Sequence, residues 1–221
     1  MKYSEFNLSH SSNKIRTSRN YFSVFFFSIL FIFTNCTSEN ESFDVLESES
    51  LTELEINNLK FLREEEKLAR DVYLYSYDIY GNEIFNNIAS SEQQHMIQVL
   101  VILNKYNISD PVSSEAGVFN DSTIQKLYDD LTTQSEISLT EALKVGAFIE
   151  DFDINDLVEL KSIISKEDIQ LMIDNLYCGS KNHLRSYVNQ LNNLEEPYIP
   201  KFISTEDYNN IINSSNEGCG K

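Results

Sequence analysis

The chain has 221 residues, 41% hydrophobic and 24% charged, with 35 acidic residues against 17 basic ones and a formal net charge of −18. So acidic a chain is repelled by phosphate backbones, which excludes nucleic acid as a partner and is compatible with cation binding, although most of the charge must be solvated surface. With only three prolines and almost no alternating apolar pattern, it reads as all-α, one domain of roughly 150 residues.

Lys14, Arg16 and Arg19 precede an apolar run from Tyr21 to Phe33, which has the length of a signal-peptide core and is short for a membrane span. Residues 1–35 are therefore expected to be an export signal, with an uncleaved N-terminal anchor as the alternative. Thr34-Asn35-Cys36, followed by polar and acidic Thr37 to Glu41, resembles a bacterial lipoprotein signal of the Bacteroidetes type, although Phe33 and Asn35 depart from the usual Leu and Gly or Ala. The resemblance implies lipidation at Cys36 and a membrane lipoprotein at the outer membrane or cell surface of a Gram-negative bacterium. Removing residues 1–35 takes away four basic residues and one acidic one, and leaves a charge of −21. Residues 36–50 read as an acidic flexible tether.

The folded domain is expected over 51–195, with a C-terminal arm over 196–221 that carries a short helix. Helical periodicity marks stretches near 52–80, 90–106, 122–133, 138–162 and 166–193, with the short one near 205–213. Thr52, Ser90, Ser122, Ser138 and Ser165 are candidate N-caps, and Gly81 ends the first helix. A disulfide between Cys178 and Cys219 is open to an exported protein, but Cys178 falls in a predicted helix and Cys219 in a glycine-rich tail, so two free thiols are favoured. The small helix at 122–133 reads as a lid packed against the others.

In the first helix Leu62, Ala69, Tyr73, Ser76 and Tyr80 share a face. Glu65 and Glu66 flank it on opposite sides, with periodicity favouring Glu65 as the inward one, and Arg63, Glu64, Lys67 and Arg70 are expected to look outward. In the second, Glu92 and His95 stand three apart inside the stripe of Ile88, Val99, Ile102 and Leu103. The fourth places Glu150 and Asp153 on the stripe of Leu143, Gly146 and Leu157, with Asp151 and Asp156 toward the flanks. The fifth puts Ser180 and His183 inward among Leu176, Leu184 and Tyr187. Several buried carboxylates and two imidazoles in one core would repel or stay unpaired without cations, and a pair of divalent transition metals satisfies both groups. The alternative is a metal-free polar network that only specifies packing.

Four blocks also carry a family resemblance: Arg63-Glu64-Glu65-Glu66-Lys67-Leu68-Ala69-Arg70-Asp71-Val72-Tyr73, Ser91-Glu92-Gln93-Gln94-His95, Gly146-Ala147-Phe148-Ile149-Glu150-Asp151-Phe152-Asp153-Ile154 and Gly179-Ser180-Lys181-Asn182-His183-Leu184-Arg185. They resemble the ferritin-like family known as domain of unknown function 2202, over about 50–213. More distantly, Glu66-x-x-Ala69-Arg70-x-x-Tyr73 is similar to the first helix of rubrerythrins and ferritins, which moves the choice of ligand from Glu65 to Glu66. The resemblance implies an antiparallel four-helix bundle with an extra short helix between core helices 2 and 3. It implies two iron or manganese ions held by Glu66, Glu92, His95, Glu150, Asp153 and His183, with Tyr73 beside the site as the catalytic side chain. The partners expected are metal ions, a small oxidant such as oxygen or peroxide and, through the lipid anchor, a membrane, with a homodimer left open. The activity implied is of ferroxidase or peroxidase type, with non-catalytic metal sequestration as the alternative. One departure stands out: the pattern places a glutamate three or four residues before the histidine of the last helix, and here those positions are Ser180 and Gly179.

Overall fold

The computed structural model describes residues 50–220. The export signal, Cys36 and nearly all of the tether lie outside the described residues. Among the described residues the chain forms six α-helices and no strand: α1 (Glu53–Tyr80), α2 (Glu83–Lys105), α3 (Ser122–Ser135), α4 (Leu139–Ile163), α5 (Glu167–Asn193) and α6 (Thr205–Ile212). None of them is long and apolar enough to cross a membrane.

Thr52 caps α1 in a reciprocal capping box with Glu55, and Gly81 ends it in the left-handed region at φ 58°, which a residue without Cβ adopts freely. The second helix begins seven residues earlier than the periodicity predicts, because Asn82 supplies the cap directly after Gly81 and Ser90 is left inside the helix. Asp121 rather than Ser122 caps α3, and Ser138 caps α4 as expected. Lys166 occupies the cap position of α5 with no side-chain hydrogen bond, so Ser165 has no such role.

Short links fold α2 back against α1 and α5 back against α4, and the two pairs pack through α1 on α4 and α2 on α5. The core is divided along the helix axes. One apolar cluster draws on Leu59 and Leu62 of α1, Val99 and Leu103 of α2, Leu157 of α4 and Ile173 and Leu176 of α5. The other draws on Leu68 and Val72, Phe85 and Ala89, Ala147 and Ile149, and Leu184 and Tyr187 of the same four helices. The first cluster precedes the second in α1 and α5 and follows it in α2 and α4, so each packed pair runs antiparallel. Full burial of each such side chain contributes about 1.5–3 kcal/mol. Between the two clusters every helix has one turn of polar side chains.

The outward-facing prediction for α1 fails at Arg63, Glu64 and Lys67, which are as buried as the leucines beside them. The cause is the connection from α2 to α3, which crosses this face. Glu64 accepts the backbone N–H groups of Asn120 (2.8 Å) and Asp121 (2.7 Å), and so holds the start of α3. Lys67 Nζ donates to Asp71 (2.7 Å) and to the carbonyls of Glu115 and Val118. Arg63 donates to Asp110 and to the carbonyl of Met96. A paired or capped charge survives burial where an isolated one would not. Only Arg70 is partly exposed, bound to Asp71 and Gln93. The small helix α3 packs on α1 and α4.

Asp151 is buried, not at the flank of its helix: its carboxylate accepts Tyr198 OH (2.8 Å) and the backbone N–H groups of Lys201, Phe202 (3.3 Å) and Ile203 (3.0 Å), which ties the C-terminal arm to α4. The expectation of two free thiols is also corrected. Cys178 and Cys219 form a disulfide with their Cα atoms 5.7 Å apart, because the tail turns back along α5 and brings Cys219 beside the exposed side of the helix.

Candidate metal centre

The polar layer comprises Glu65, Glu66, Glu92, His95, Glu150, Asp153, Ser180 and His183, all buried. Positions 92 and 95 of α2 are one helical turn apart and point to one spot. Glu92 stands at the middle. Its Oε2 lies 2.8 Å from His95 Nδ1, and its Oε1 lies 2.8 Å from His183 Nδ1 on α5. On the first side Glu66 Oε2 comes within 3.3 Å of His95 Nδ1, and on the second Glu150 Oε2 comes within 3.4 Å of His183 Nδ1. Glu66, Glu92 and His95 thus form one group that could hold a metal ion, and Glu92, Glu150 and His183 another, with the donor atoms of each group within 4.8 Å of one another. The two imidazole rings lie 5.5 Å apart.

These contacts are close but poorly satisfied as hydrogen bonds. Glu66 Oε1, Glu92 Oε1, Asp153 Oδ1 and His183 Nδ1 are buried without a hydrogen-bond partner. Each such atom costs about 1–3 kcal/mol if left that way, and carboxylate oxygens and imidazole nitrogens converging on shared points are a set that a cation could satisfy. The donor set is carboxylate oxygens and imidazole nitrogens, which suits a divalent metal ion.

The other sequence-predicted residues fall beside these groups. Tyr73 OH donates to Glu150 Oε1 at 2.6 Å, which fixes that carboxylate. Asp153 lines the same small cavity of about 10 Å³ as Glu65, Glu66, Glu92 and Glu150, but it belongs to neither group, and Ser180 Oγ donates to its Oδ2. Glu65 also lines the cavity and stays outside both groups. Between the two candidates on α1, the structure brings Glu66 to the histidine.

Electrostatics bind the layer together. Burial pushes Glu92 up, but His183 and His95 outweigh it and hold the carboxyl well below the usual range. Burial pushes both histidines down, and their carboxylates outweigh it, so that His95 lies well above the usual imidazole value and His183 is raised to about 10. Burial raises Glu66 and Glu150 to about 7, partly offset by their histidines. It also pushes Asp153 and Glu65 well up, with neighbouring carboxylates adding to the effect. Without metal, the imidazoliums are the cations of this layer.

Some features of the site carry no periodic signal. Ser91 Oγ lies 2.9 Å from His183 Nε2, an interaction with the ring nitrogen that faces away from the carboxylates. Gly179 is where the edge of His95 packs: a Cβ there would lie 2.5 Å from His95 Nε2. Gly146 makes room in the same way for the ring of Tyr187, which packs tilted against Tyr73 with centroids 5.3 Å apart. A glycine on an inward stripe was the one sequence signal for such close approach.

Comparison with known proteins places this architecture. Residues 55–215 match the family described as "Uncharacterized protein domain (DUF2202)". The chain is 47% identical over 173 residues to "Uncharacterized protein MJ0754" of Methanocaldococcus jannaschii, covering 78% of this chain and 94% of that protein. It is likewise similar to the crystal structure of the hypothetical protein MJ0754, with a TM-score of 0.75, 47% identity and coverage of 76% of this chain and 97% of that one.

Proposed function

We propose that this chain, which belongs to the DUF2202 family, is an exported, lipid-anchored protein whose ferritin-like four-helix bundle of α1, α2, α4 and α5 binds two iron or manganese ions. The observation that carries the reading is Glu92, whose two oxygens each face a different histidine and so serve two ligand groups at once. Bridging carboxylates of this kind hold paired ions in bundle cores.

The residues take distinct roles. Glu92 would be shared between the two ions, His95 and His183 would each hold one of them, and Glu66 and Glu150 would complete the two groups. Ser91 accepts the Nε2 proton of His183, which keeps Nδ1 free as a donor in the neutral ring. Tyr73 holds Glu150 by its hydroxyl and is a phenol in direct contact with one of the proposed ligands. Asp153, restrained by Ser180, is a further anion beside the pair. A bound pair of such ions supplies redox chemistry toward oxygen or peroxide, and the reaction proposed is of ferroxidase or peroxidase type.

A second reading is metal holding without turnover. The cavity at the carboxylate side has room for about one water, which suits an ion and its ligand better than a larger substrate. Elemental analysis of the purified protein after loading with iron(II) or manganese(II) tests the centre. About two ions per chain, lost in Glu92→Ala and in His95→Ala variants that remain helical, is the expected result. One ion per chain means that only one group is occupied, and none leaves the layer a metal-free polar core. Oxygen consumption and peroxide consumption by the loaded protein then separate the catalytic reading from the holding one.

A further inference from the structure

On the side of α2 and α5 away from the carboxylates, a cleft of about 330 Å³ opens over the outer edges of the two histidines. Its walls are polar: Ser91, Gln94, Gln98, Asn175 and Asn182 surround His95 and His183. Gly179 completes the α5 wall, and Glu217, Cys219 and Gly220 of the C-terminal tail supply the rest of the lining. We infer that this cleft is the route by which hydrated divalent cations reach the histidine side of the centre, and that the tail is a strap held over it by the Cys178–Cys219 disulfide. The inference rests on the metal-centre reading.

The attachments of the strap are concentrated on one surface. Asn182 exchanges two hydrogen bonds with the backbone of Glu217, each 3.0 Å, and the Glu217 carboxylate pairs with Lys181 (2.7 Å) and Arg185 (3.0 Å). Arg185, itself buried, also donates to Ser214 Oγ and to the carbonyl of Ile211. All of these partners and Cys178 lie on α5. Arg185 anchors Ile211 and Ser214 from a buried position, whereas beyond Ser214 the strap is held, apart from the disulfide, through the exposed residues Glu217 and Cys219, where water replaces a polar contact at smaller cost. The covalent bond is therefore the element whose loss frees residues 215–220. A dithiol opens it by thiol–disulfide exchange: the S–S bond breaks, two electrons and two protons pass to Cys178 and Cys219, and the dithiol closes to its own disulfide. The amide oxygens and the Glu217 carboxylate are hard donors that suit a passing hydrated cation.

The test uses the full metal-free chain in disulfide and dithiol-reduced forms, with Cys219→Ser as a second route to the open strap. Hydroxyl-radical labelling of His95 and His183 after removal of the dithiol, read by peptide mass spectrometry, reports access without any metal and whatever the charge of the rings. Iron(II) uptake, read with a chromophoric chelator, reports passage. Reduction and the serine variant are each expected to raise labelling and uptake by about tenfold or more, equivalent to a bias of about 1.4 kcal/mol between closed and open strap. Glu217→Gln, which weakens the contacts to Lys181 and Arg185 and keeps the disulfide, is expected to give a smaller rise. Unchanged labelling on reduction overturns the inference, as does a rise accompanied by general loss of helicity. Absence of iron uptake in both redox forms refutes the metal centre, and labelling still decides whether the strap closes the cleft.

Discussion

Loading the centre with metal should expel protons, and the number follows from the state of the layer without metal. At pH 7 His95 and His183 both carry a proton that their carboxylates hold there, and Glu66 and Glu150, raised to about 7, are each about half protonated. A ligand must present a lone pair, so binding two divalent ions through these residues displaces one proton from each imidazole and about half a proton from each of the two carboxyls. The release is about three protons per chain at pH 7, rising toward about four at pH 6, where the carboxyls are mostly neutral, and falling toward about two at pH 8.5. Calorimetric titration with manganese(II) in buffers of different protonation enthalpy, or a pH-stat, measures it directly. Release of less than one proton at pH 7, or release that grows as pH rises, would refute the assignment of the imidazoliums as the cations that metal replaces.

The same shifts set the pH dependence of the metal-free fold. The two carboxyls and two histidines all have folded values above their unfolded ones, so their contribution is present below pH 5 to 6 and is lost as pH rises through the folded values; the melting temperature is expected to fall between pH 5 and 9 and to recover on adding metal. Glu92 runs the other way and costs stability only in strong acid, so a melting temperature that rises steadily to pH 9 contradicts this account. Gly179→Ala places a Cβ 2.5 Å from His95 Nε2, and the displaced ring should cost at least about tenfold in metal affinity while circular dichroism stays helical; unchanged affinity means that the ring has room to move. Asp151→Asn replaces an acceptor of four hydrogen bonds by a group that is half donor, and should destabilise the fold by about 2 kcal/mol or more in urea denaturation, with faster amide exchange at residues 201–203 than elsewhere. Uniform exchange would locate the loss elsewhere.

Much of the layer was legible because helical period is a local property. Glu92, His95, Glu150, Asp153 and His183 lie on stripes whose apolar members sit in the two clusters, and their burial follows from the sequence at 3.6 residues per turn. Period failed where another part of the chain supplies the burial. Arg63, Glu64 and Lys67 are on what an isolated helix would expose, and only the path of residues 106–121 across them makes that face interior. Asp151 was misplaced for the same reason, since the arm near Tyr198 covers it. The disulfide joins residues 41 apart in sequence, and no local pattern encodes the return of the tail along α5.

Gly179 and Ser180, which first read as a missing ligand, have a joint explanation in the geometry. The glycine leaves space for the outer edge of His95, and the serine, fully buried, donates its hydroxyl to Asp153 across the helix interface. A longer side chain at 179 would meet the imidazole that the first ligand group depends on. The carboxyl that the resemblance would place on α5 is instead found on α4 at Asp153, outside the two groups and restrained by a hydrogen bond. On the proposed reading, ion and proton compete for one layer: two imidazoliums and the partial protonation of Glu66 and Glu150 balance the carboxylates without metal, and divalent ions would take that role when bound. The apolar clusters on either side exclude the water that would otherwise screen the choice.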